Sequence, residues 1–358
     1  MTACAREIRR VIAAQGPISV GEFMRLALID PEFGYYVRRN PISGDFITAP
    51  EISQIFGELI GLFFVQLWED HGRPRRFHLV ELGPGRGTLM ADMLRAARIR
   101  PQFLDSAMID LIEVSPVLAE HQRHTLADFP VTWHSDLTNV PADAPAFIMA
   151  NEFFDALPVR QFIHRDGRWH ERKIALDQDR FQFVHYPEPR VRELVPARLS
   201  DARDGAVFEF SADAKRIAGA IAARIVHAGG TALIADYGHM RSGFADTFQA
   251  VRQHQFADPL AQPGDADLTF HVDFEVLAGA ANAQNATVFG PVTQGRFLTA
   301  LGIRQRSEML KRNAPAYAQM IDSGVERLIG DTQMGQLFKM LAITAPDSPP
   351  PPPGFIEC

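Results

Sequence analysis

A short glycine-rich segment holds the residue types with the clearest chemical potential in this chain. Gly83, Gly85 and Gly87 directly follow the apolar segment FHLVEL at residues 77–82, and the pattern predicts an amphipathic helix from Thr88. Glycine lets the backbone turn tightly and approach a ligand where a side chain would collide. The spacing G-x-G-x-G differs from the dinucleotide fingerprint G-x-G-x-x-G and is typical of loops that bind S-adenosylmethionine.

Three acidic residues stand where they could hold the other parts of such a donor. Glu81 precedes the first glycine by two positions, where it would repel a pyrophosphate but could attract an α-ammonium group. Glu113 closes the next predicted strand, where a carboxylate can accept both ribose hydroxyls, and Asp136 follows the third, where it can accept from an adenine amino group. The alternatives are a tight turn without ligand, a solvated acid at Glu113 and a helix N-cap at Asp136.

The segment Asn151-Glu152-Phe153-Phe154-Asp155 follows the fourth predicted strand at once. An arginine acceptor stays charged, with a pKa above about 12, so methylating it requires carboxylates that orient the guanidinium and take a proton. Glu152 and Asp155 fit that role, and Asn151 stands beside them. The alternative is that Asp155 caps a turn while Glu152 pairs with Arg160.

Two further candidates are less specific. Asp45 lies in GDFITAP, residues 44–50, which could cover the cofactor as a lid, although a plain turn and cap explains it as well. His271 and Asp273 could form a proton relay, or the histidine could be structural. The sequence has no H-x-x-x-H, no clustered cysteines and no nucleophile elbow, so we expect neither a metal site nor an acyl-enzyme mechanism.

The elements around these residues alternate between strand and helix, which predicts a doubly wound parallel sheet. Ligands of such sheets bind at the carboxyl ends of the strands, where successive loops converge. The predicted elements are strands at 107–114, 131–134, 146–150, 231–235, 286–289 and 337–343, and helices at 117–126 and 212–227.

The order of these elements predicts three regions. Residues 1–75 form an N-terminal helical region that includes a helix from Ile55, and residues 76–346 form the methyltransferase-type core. Antiparallel β segments around an Asp166-Gly167 turn are inserted at 160–205, and a second, irregular insert follows at 239–263. The proline-rich tail 347–358 should be extended and solvated.

The composition excludes several classes of protein. The 358 residues contain 36 Lys and Arg against 43 Asp and Glu, and a net charge of −7 disfavours a nucleic-acid partner. Cys4 and Cys358 are the only cysteines, which is typical of an intracellular protein. Arg6, Arg9 and Arg10 resemble a targeting helix, but the spacing favours the first helix of the fold. We expect no membrane insertion and a cytoplasmic location.

Several segments together resemble the MidA-like family, which comprises assembly-factor protein arginine methyltransferases of mitochondrial complex I and their bacterial relatives. The segments ANEFFDALPVRQF and GDFITAPEIS carry more specificity than the glycine loop. A mild departure is Ala245-Asp246-Thr247-Phe248-Gln249, where the family pattern has Gly-Asp-Thr-Leu-Gln. The similar segments are residues 21–38, 44–61, 80–95, 113–118, 150–162, 236–239, 265–274 and 294–303.

The resemblance implies a Rossmann-like class I methyltransferase fold, S-adenosylmethionine as donor, and symmetric dimethylation of an arginine in a complex I subunit during assembly. Eukaryotic members are mitochondrial, and a homodimer is left open. Two alternatives remain. One is methylation of a small-molecule or other amine, because Asn151 to Phe154 resembles D/N-P-P-Y/F without its prolines. The other is a scaffold that binds the cofactor without turnover.

Overall fold

The computed structural model describes residues 2–38, 48–252, 255–346, 348 and 350–355. Its contacts divide the chain into two compact units. The first takes its described residues from Met1–Phe46, Phe154–Arg216 and Arg241–Asp273, and the second from Ile47–Phe153, Ile217–Met240 and Phe274–Cys358. The three-region division expected from the sequence, at 75/76 and 346/347, stays a prediction.

The described residues contain both helices and strands. The helices are α1 (Ala3–Gln15), α2 (Val20–Ile29), α3 (Tyr35–Arg38), α4 (Ala49–Ile52), α5 (Gln54–Asp70), α6 (Thr88–Ala97), α7 (Pro101–Ser106), α8 (Pro116–Thr125), α9 (Ala212–Ala228), α10 (Phe274–Asn282), α11 (Gln294–Ala300), α12 (Ile303–Asn313), α13 (Ala318–Ile329) and α14 (Met334–Leu337). The strands are β1 (Ile18–Ser19), β2 (Phe77–Leu82), β3 (Ala107–Ile112), β4 (Val131–His134), β5 (Ala146–Asn151), β6 (Arg160–Arg165), β7 (Arg168–Asp177), β8 (Arg180–Pro187), β9 (Val207–Phe210), β10 (Gly230–His239), β11 (Gln249–Arg252), β12 (Gln255–Ala257), β13 (Asp267–Thr269), β14 (Val272–Asp273), β15 (Thr287–Thr293) and β16 (Phe338–Thr344).

The second unit is built on a sheet with the strand order β15-β16-β10-β5-β2-β3-β4. Strands β10, β5, β2, β3 and β4 run parallel to one another, and β16 is antiparallel to both β10 and β15. The chain proceeds from β2 outward through β3 and β4, and then returns to β5 on the other side of β2. The order therefore reverses between β2 and β5, and open α/β sheets bind ligands in the crevice at such a point.

Helices α5 and α6 cover one face of this sheet, and glycines let them approach closely. A Cβ atom on Gly57 would stand 2.5 Å from the Cβ of Asp92, and one on Gly61 would stand 2.6 Å from the carbonyl oxygen of Met93. Phe64 and Phe147 are fully buried in the resulting core. Close packing of this kind fixes α6, and with it the loop from which α6 begins.

On the opposite face of the sheet, three polar side chains form a hydrogen-bonded row, and the strand register explains why they are adjacent. His78 Nδ1 lies 2.8 Å from one oxygen of Asp110, and His134 Nε2 lies 2.7 Å from the other oxygen of that carboxylate. These residues are on β2, β3 and β4, at positions that face the same side. Asp110 is 4% exposed, so its carboxylate needs these partners.

The first unit is antiparallel. One sheet has the order β1-β7-β6-β9, with β8 paired to β7, and another has the order β12-β11-β13. The β6–β7 turn uses Asp166 and Gly167, both with positive φ, as the sequence pattern predicted. Helices α1 and α2 contribute buried side chains, including Ile8 and Phe23, to the core of this unit.

The fold class predicted from the sequence is confirmed: a doubly wound α/β sheet with an N-terminal helical region and inserted antiparallel strands. Two local expectations were incomplete. The second insert is not irregular throughout, since β11 and β12 form there. The tail is not wholly solvated, because Phe355 is 9% exposed and packs against Phe297 with the ring centroids 5.3 Å apart.

Candidate donor-binding and active site

The loop between β2 and α6 has the conformation that its glycines predicted. Gly83, Gly85 and Gly87 have φ values of 61°, 54° and 79°, a region that other residues rarely adopt. A Cβ atom on Gly83 would come 2.9 Å from the ring of Phe153, whereas one on Gly85 would meet no atom within 4 Å. The loop is therefore packed on one side by Phe153 and faces open space at Gly85.

Glu81 lies near the end of β2 and is 2% exposed. Its carboxylate accepts a hydrogen bond from the backbone N–H of Met90 in the first turn of α6. The second oxygen, Oε2, has no hydrogen-bond partner among the described residues. Burial, with a smaller contribution from Glu113, raises the pKa of Glu81 to about 8.

Glu113 follows β3, and its carboxylate accepts hydrogen bonds from the side chain of Gln122 and from the backbone N–H groups of Ser115 and Val114. Its Oε1 accepts from the backbone N–H of Ser115 at 2.7 Å, and its Oε2 accepts from Nε2 of Gln122 at 2.9 Å. Burial raises the pKa of Glu113, and these hydrogen bonds oppose that rise because they favour the carboxylate.

Gln122 is a site residue that the sequence patterns did not single out. It lies on α8, is fully buried, and also donates from Nε2 to the carbonyl oxygen of Gly85 at 2.7 Å. The available signal was its position: with Leu118 and Ala119 it forms the buried face of α8, where an amide is unusual.

Asp136 is exposed after β4 and caps a short 3₁₀ turn, Leu137–Asn139. One carboxylate oxygen accepts from the backbone N–H of Thr138 at 2.8 Å and from its hydroxyl at 2.7 Å. The capping alternative thus describes its contacts, and contact with an adenine amino group stays a prediction. Asp45 lies outside the described residues, so its predicted role also stays a prediction.

Asn151 and Glu152 lie at the end of β5, next to β2 in the sheet. Glu152 has φ 49°, a costly conformation for a residue with a side chain. Its Oε1 accepts from the backbone N–H of Ala49 at 3.0 Å and from Nδ2 of Asn151 at 3.2 Å. Arg160, the alternative partner considered from the sequence, lies 2.7 Å from Glu171 instead.

Helix α4 contacts both the glycine loop and Glu152. Its residue Glu51 forms an ion pair with Arg86 of the loop at 3.3 Å, and its first residue, Ala49, donates to Glu152. Neither contact had a recognisable sequence signal, because both join residues that are far apart in the chain. The described part of the GDFITAP segment is therefore connected to the strand end through Ala49, and Glu51, which follows the segment, connects the helix to the loop.

Asp155 and His271 belong to the first unit, whereas Asn151 and Glu152 belong to the second. Asp155 is 4% exposed, and its backbone carbonyl accepts from the N–H of Phe270 at 3.1 Å. The hydroxyl of Tyr36 donates to Asp267 at 2.7 Å. Burial raises the pKa of Tyr36 well above its usual value, with Asp267 and Asp155 adding to the effect.

His271 is fixed through its backbone. Its N–H donates to the hydroxyl oxygen of Thr247 at 2.9 Å, and the Thr247 hydroxyl donates to Glu209. Glu209 also accepts from Gln161 at 2.7 Å, which joins the two inserts. The predicted relay of His271 with Asp273 stays a prediction.

The described residues contain no group of three or more His, Cys, Asp or Glu side chains that could hold a metal ion. In the same residues, no helix is both long and apolar enough to cross a bilayer.

The glycine loop, the buried acid before it and the acid after the neighbouring strand fit S-adenosylmethionine. Open space beside Gly85 leaves room for the ligand, and Glu81 has a buried oxygen without a partner. Together with the strand order, they define a Rossmann-like, S-adenosylmethionine-dependent methyltransferase. The family model described as S-adenosyl-L-methionine-dependent methyltransferase matches residues 59–292, and the chain belongs to that family.

Relatives over nearly the whole chain agree with this assignment. The protein arginine methyltransferase NDUFAF7 homolog of Drosophila melanogaster is 39% identical, covering 95% of this chain and 84% of that protein. The human protein arginine methyltransferase NDUFAF7 is 37% identical, with 96% and 83% covered. Both are named as mitochondrial, which confirms the expected location of eukaryotic relatives.

A similar solved structure contains a bound ligand. A superfamily member from Burkholderia thailandensis, crystallised with S-adenosylhomocysteine, matches with a TM-score of 0.84 and 28% identity, covering 99% of this chain and 93% of that one. A native crystal structure of a protein of that superfamily from the same organism matches with a TM-score of 0.83 and 29% identity. The predicted cofactor, S-adenosylmethionine, is therefore confirmed.

Proposed function

We propose that the protein transfers methyl groups from S-adenosylmethionine to an arginine side chain of a protein substrate. One observation carries the proposal: the carboxylate of Glu152 is fixed at the end of β5 by Ala49 and Asn151, and the next residue, Phe153, contacts Gly83 of the donor loop. The names of the Drosophila and human relatives support the choice of arginine.

The donor site follows from the contacts described above. Gly83, Gly85 and Gly87 would hold the methionine part, Glu81 its ammonium group and Glu113 the ribose hydroxyls. The donor, when bound, supplies an electrophilic methyl group on a sulfonium. What remains for the protein is alignment of an acceptor nitrogen with that methyl group.

The acceptor places the greater demand on the protein. A guanidinium keeps its charge at neutral pH, so its nitrogen lone pair becomes available only as a proton leaves. Glu152 would orient the guanidinium by paired N–H to oxygen contacts, offset its charge and receive the proton. Asn151, with an oxygen that has no partner among the described residues, would accept another N–H. Asp155 and His271 stay candidates for catalysis, as predicted from the sequence.

The finer function is that implied by the family resemblance. The substrate would be a subunit of respiratory complex I, its arginine would be symmetrically dimethylated, and the modification would support assembly. The protein would act in the cytoplasm, with a homodimer as one form. The names of the mitochondrial relatives support the activity, arginine methylation.

The test is a label-transfer experiment with Glu152→Gln. The purified protein is incubated with methyl-labelled S-adenosylmethionine and a lysate from its host that lacks it, and labelled peptides are identified by mass spectrometry. We expect label on arginine of a complex I subunit, and a loss of about 100-fold or more for Glu152→Gln with unchanged binding of S-adenosylhomocysteine. Glu193→Gln, an exposed acid on another segment, should match the parent.

Other outcomes would each overturn part of the proposal. Label only on small molecules would identify an amine methyltransferase. Full activity in Glu152→Gln would remove the carboxylate from the mechanism. Donor binding without any label, together with unchanged binding of a complex I subunit by Glu152→Gln, would identify a scaffold.

A further inference from the structure

Gln122 connects three parts of the donor site through one buried amide. Its Nε2 donates to the carbonyl oxygen of Gly85 at 2.7 Å and to the carboxylate of Glu113 at 2.9 Å. Its Oε1 accepts from the indole N–H of Trp133 on β4 at 2.9 Å. All four residues belong to the second unit.

The chemistry of the three partners fixes how this amide is oriented. An indole N–H can only donate, and a carbonyl or a carboxylate oxygen accepts, so the amide oxygen must face Trp133 and the NH₂ must face Gly85 and Glu113. A rotation of the amide by half a turn would break all three hydrogen bonds at once. Trp133 therefore determines that Gln122 presents both donors to the donor site.

The two hydrogen bonds that Gln122 donates go to residues that would contact different parts of the ligand. Gly85 belongs to the loop that would hold the methionine part, and Glu113 is the acid placed for the ribose hydroxyls. A Cβ atom on Gly87 would also lie 3.5 Å from the side chain of Gln122, so the loop packs against it. The amide thus holds the loop and the ribose carboxylate at a fixed separation.

We propose that Gln122 is a positioning residue that holds Glu113 against the glycine loop, so that the methionine and ribose parts of S-adenosylmethionine bind to one preassembled surface. The inference concerns the binding of S-adenosylmethionine and does not depend on arginine being the acceptor. It is tested by ligand binding alone, so a failure of the proposed arginine activity would leave it standing.

The experiment measures the affinity for S-adenosylhomocysteine by calorimetry. Gln122→Met keeps the length of the side chain and removes its hydrogen bonds, and we expect a loss of affinity of about 10- to 100-fold, the size for hydrogen bonds that involve a charged group. Gln66→Met is the matched control, because Gln66 is an exposed helical glutamine whose amide donates to Asp70. It should bind as tightly as the parent.

A second variant keeps the proposal testable if Gln122→Met does not fold. Trp133→Phe keeps an aromatic ring and removes the indole N–H that orients the amide, and affinity should fall in the same direction by about threefold or more. In the double variant the two losses should not add, since both act through one amide. Once an acceptor is known, kcat at saturating donor should change little while KM for the donor rises.

The contrary results are equally specific. A folded Gln122→Met protein with an affinity within about twofold of the parent would overturn the proposal. So would Trp133→Phe with an unchanged affinity, or a fall in kcat at unchanged donor affinity.

Discussion

Glu81 is a buried acid whose surroundings favour the protonated form. Its raised pKa, about 8, means that most molecules carry a proton there at neutral pH in the free protein. A ligand with an ammonium and a sulfonium charge favours the carboxylate instead, so binding should lower that pKa and release a proton. Donor affinity should therefore rise with pH up to about 8.

Calorimetry in two buffers of different ionisation enthalpy checks this prediction at the residue scale. At pH 7 we expect release of a substantial fraction of one proton upon binding of S-adenosylmethionine, and a smaller release at pH 9. Glu81→Gln should bind without that release. Equal proton release in the parent and in Glu81→Gln would assign the linkage to another group.

Glu81 should affect folding stability in the opposite direction: donor affinity rises with pH, whereas its contribution to stability falls. In the unfolded chain the pKa of Glu81 is near its ordinary value of 4.5, whereas in the folded protein it is about 8. The folded state binds more protons in this interval, so the contribution of Glu81 to stability falls as the pH rises from about 4.5 to 8.

The sequence indicated residues whose role depends on local spacing, and missed those whose role depends on distant partners. Glu81 and the glycines were identifiable because the loop is defined by residues that are close together in the sequence. Gln122 and Glu51 were not, since their partners lie on other elements. Asp155 shows the same limit: its short distance from Glu152 in sequence did not reveal that the two belong to different units.

At the scale of elements, the contact between α5 and α6 depends on two glycines. Gly57→Ala and Gly61→Ala each force a Cβ atom into a position 2.5 or 2.6 Å from an atom of α6. We expect each change to lower the free energy of unfolding by about 1–3 kcal/mol, the usual cost of overpacking. Urea denaturation followed by circular dichroism measures it.

Gly279→Ala is the matched control, because a Cβ atom on this α10 glycine would meet nothing within 4 Å. Alanine costs less backbone entropy than glycine in a helix, so this variant should gain up to about 1 kcal/mol. Stability losses of equal size in all three variants would show that helix propensity, and not the close contact, determines the effect.

Element types were predictable where periodicity was strong. The short apolar run of β5 and the amphipathic face of α6 indicated a buried strand and a helix directly. The strands β11 and β12 of the second insert were not predicted, because each is only three or four residues long. Such strands depend on pairing with neighbours more than on their own pattern.

For the molecule as a whole, the C-terminal segment completes the core of the second unit. Phe355→Ala removes a ring that packs against Phe297 and leaves a cavity, so the free energy of unfolding should fall by about 2–4 kcal/mol. Phe256→Ala, which changes a phenylalanine that is 80% exposed, should change it by about 0.5 kcal/mol or less. Urea denaturation of the full-length variants compares them.

A loss in Phe355→Ala no larger than that in Phe256→Ala would show that the segment adds nothing to stability. The sequence alone favoured a solvated tail because five consecutive prolines exclude regular structure. That argument holds for the prolines and fails for Phe355, whose ring can be buried without any backbone pairing.

The hydrogen bond from Trp133 to Gln122 gives the chain an optical reporter of its own. An indole whose N–H donates to Gln122 changes its emission when the field around Gln122 changes, and a positively charged ligand beside Glu113 changes that field. Occupancy of the site could then be followed in real time, without a label and before any acceptor is identified.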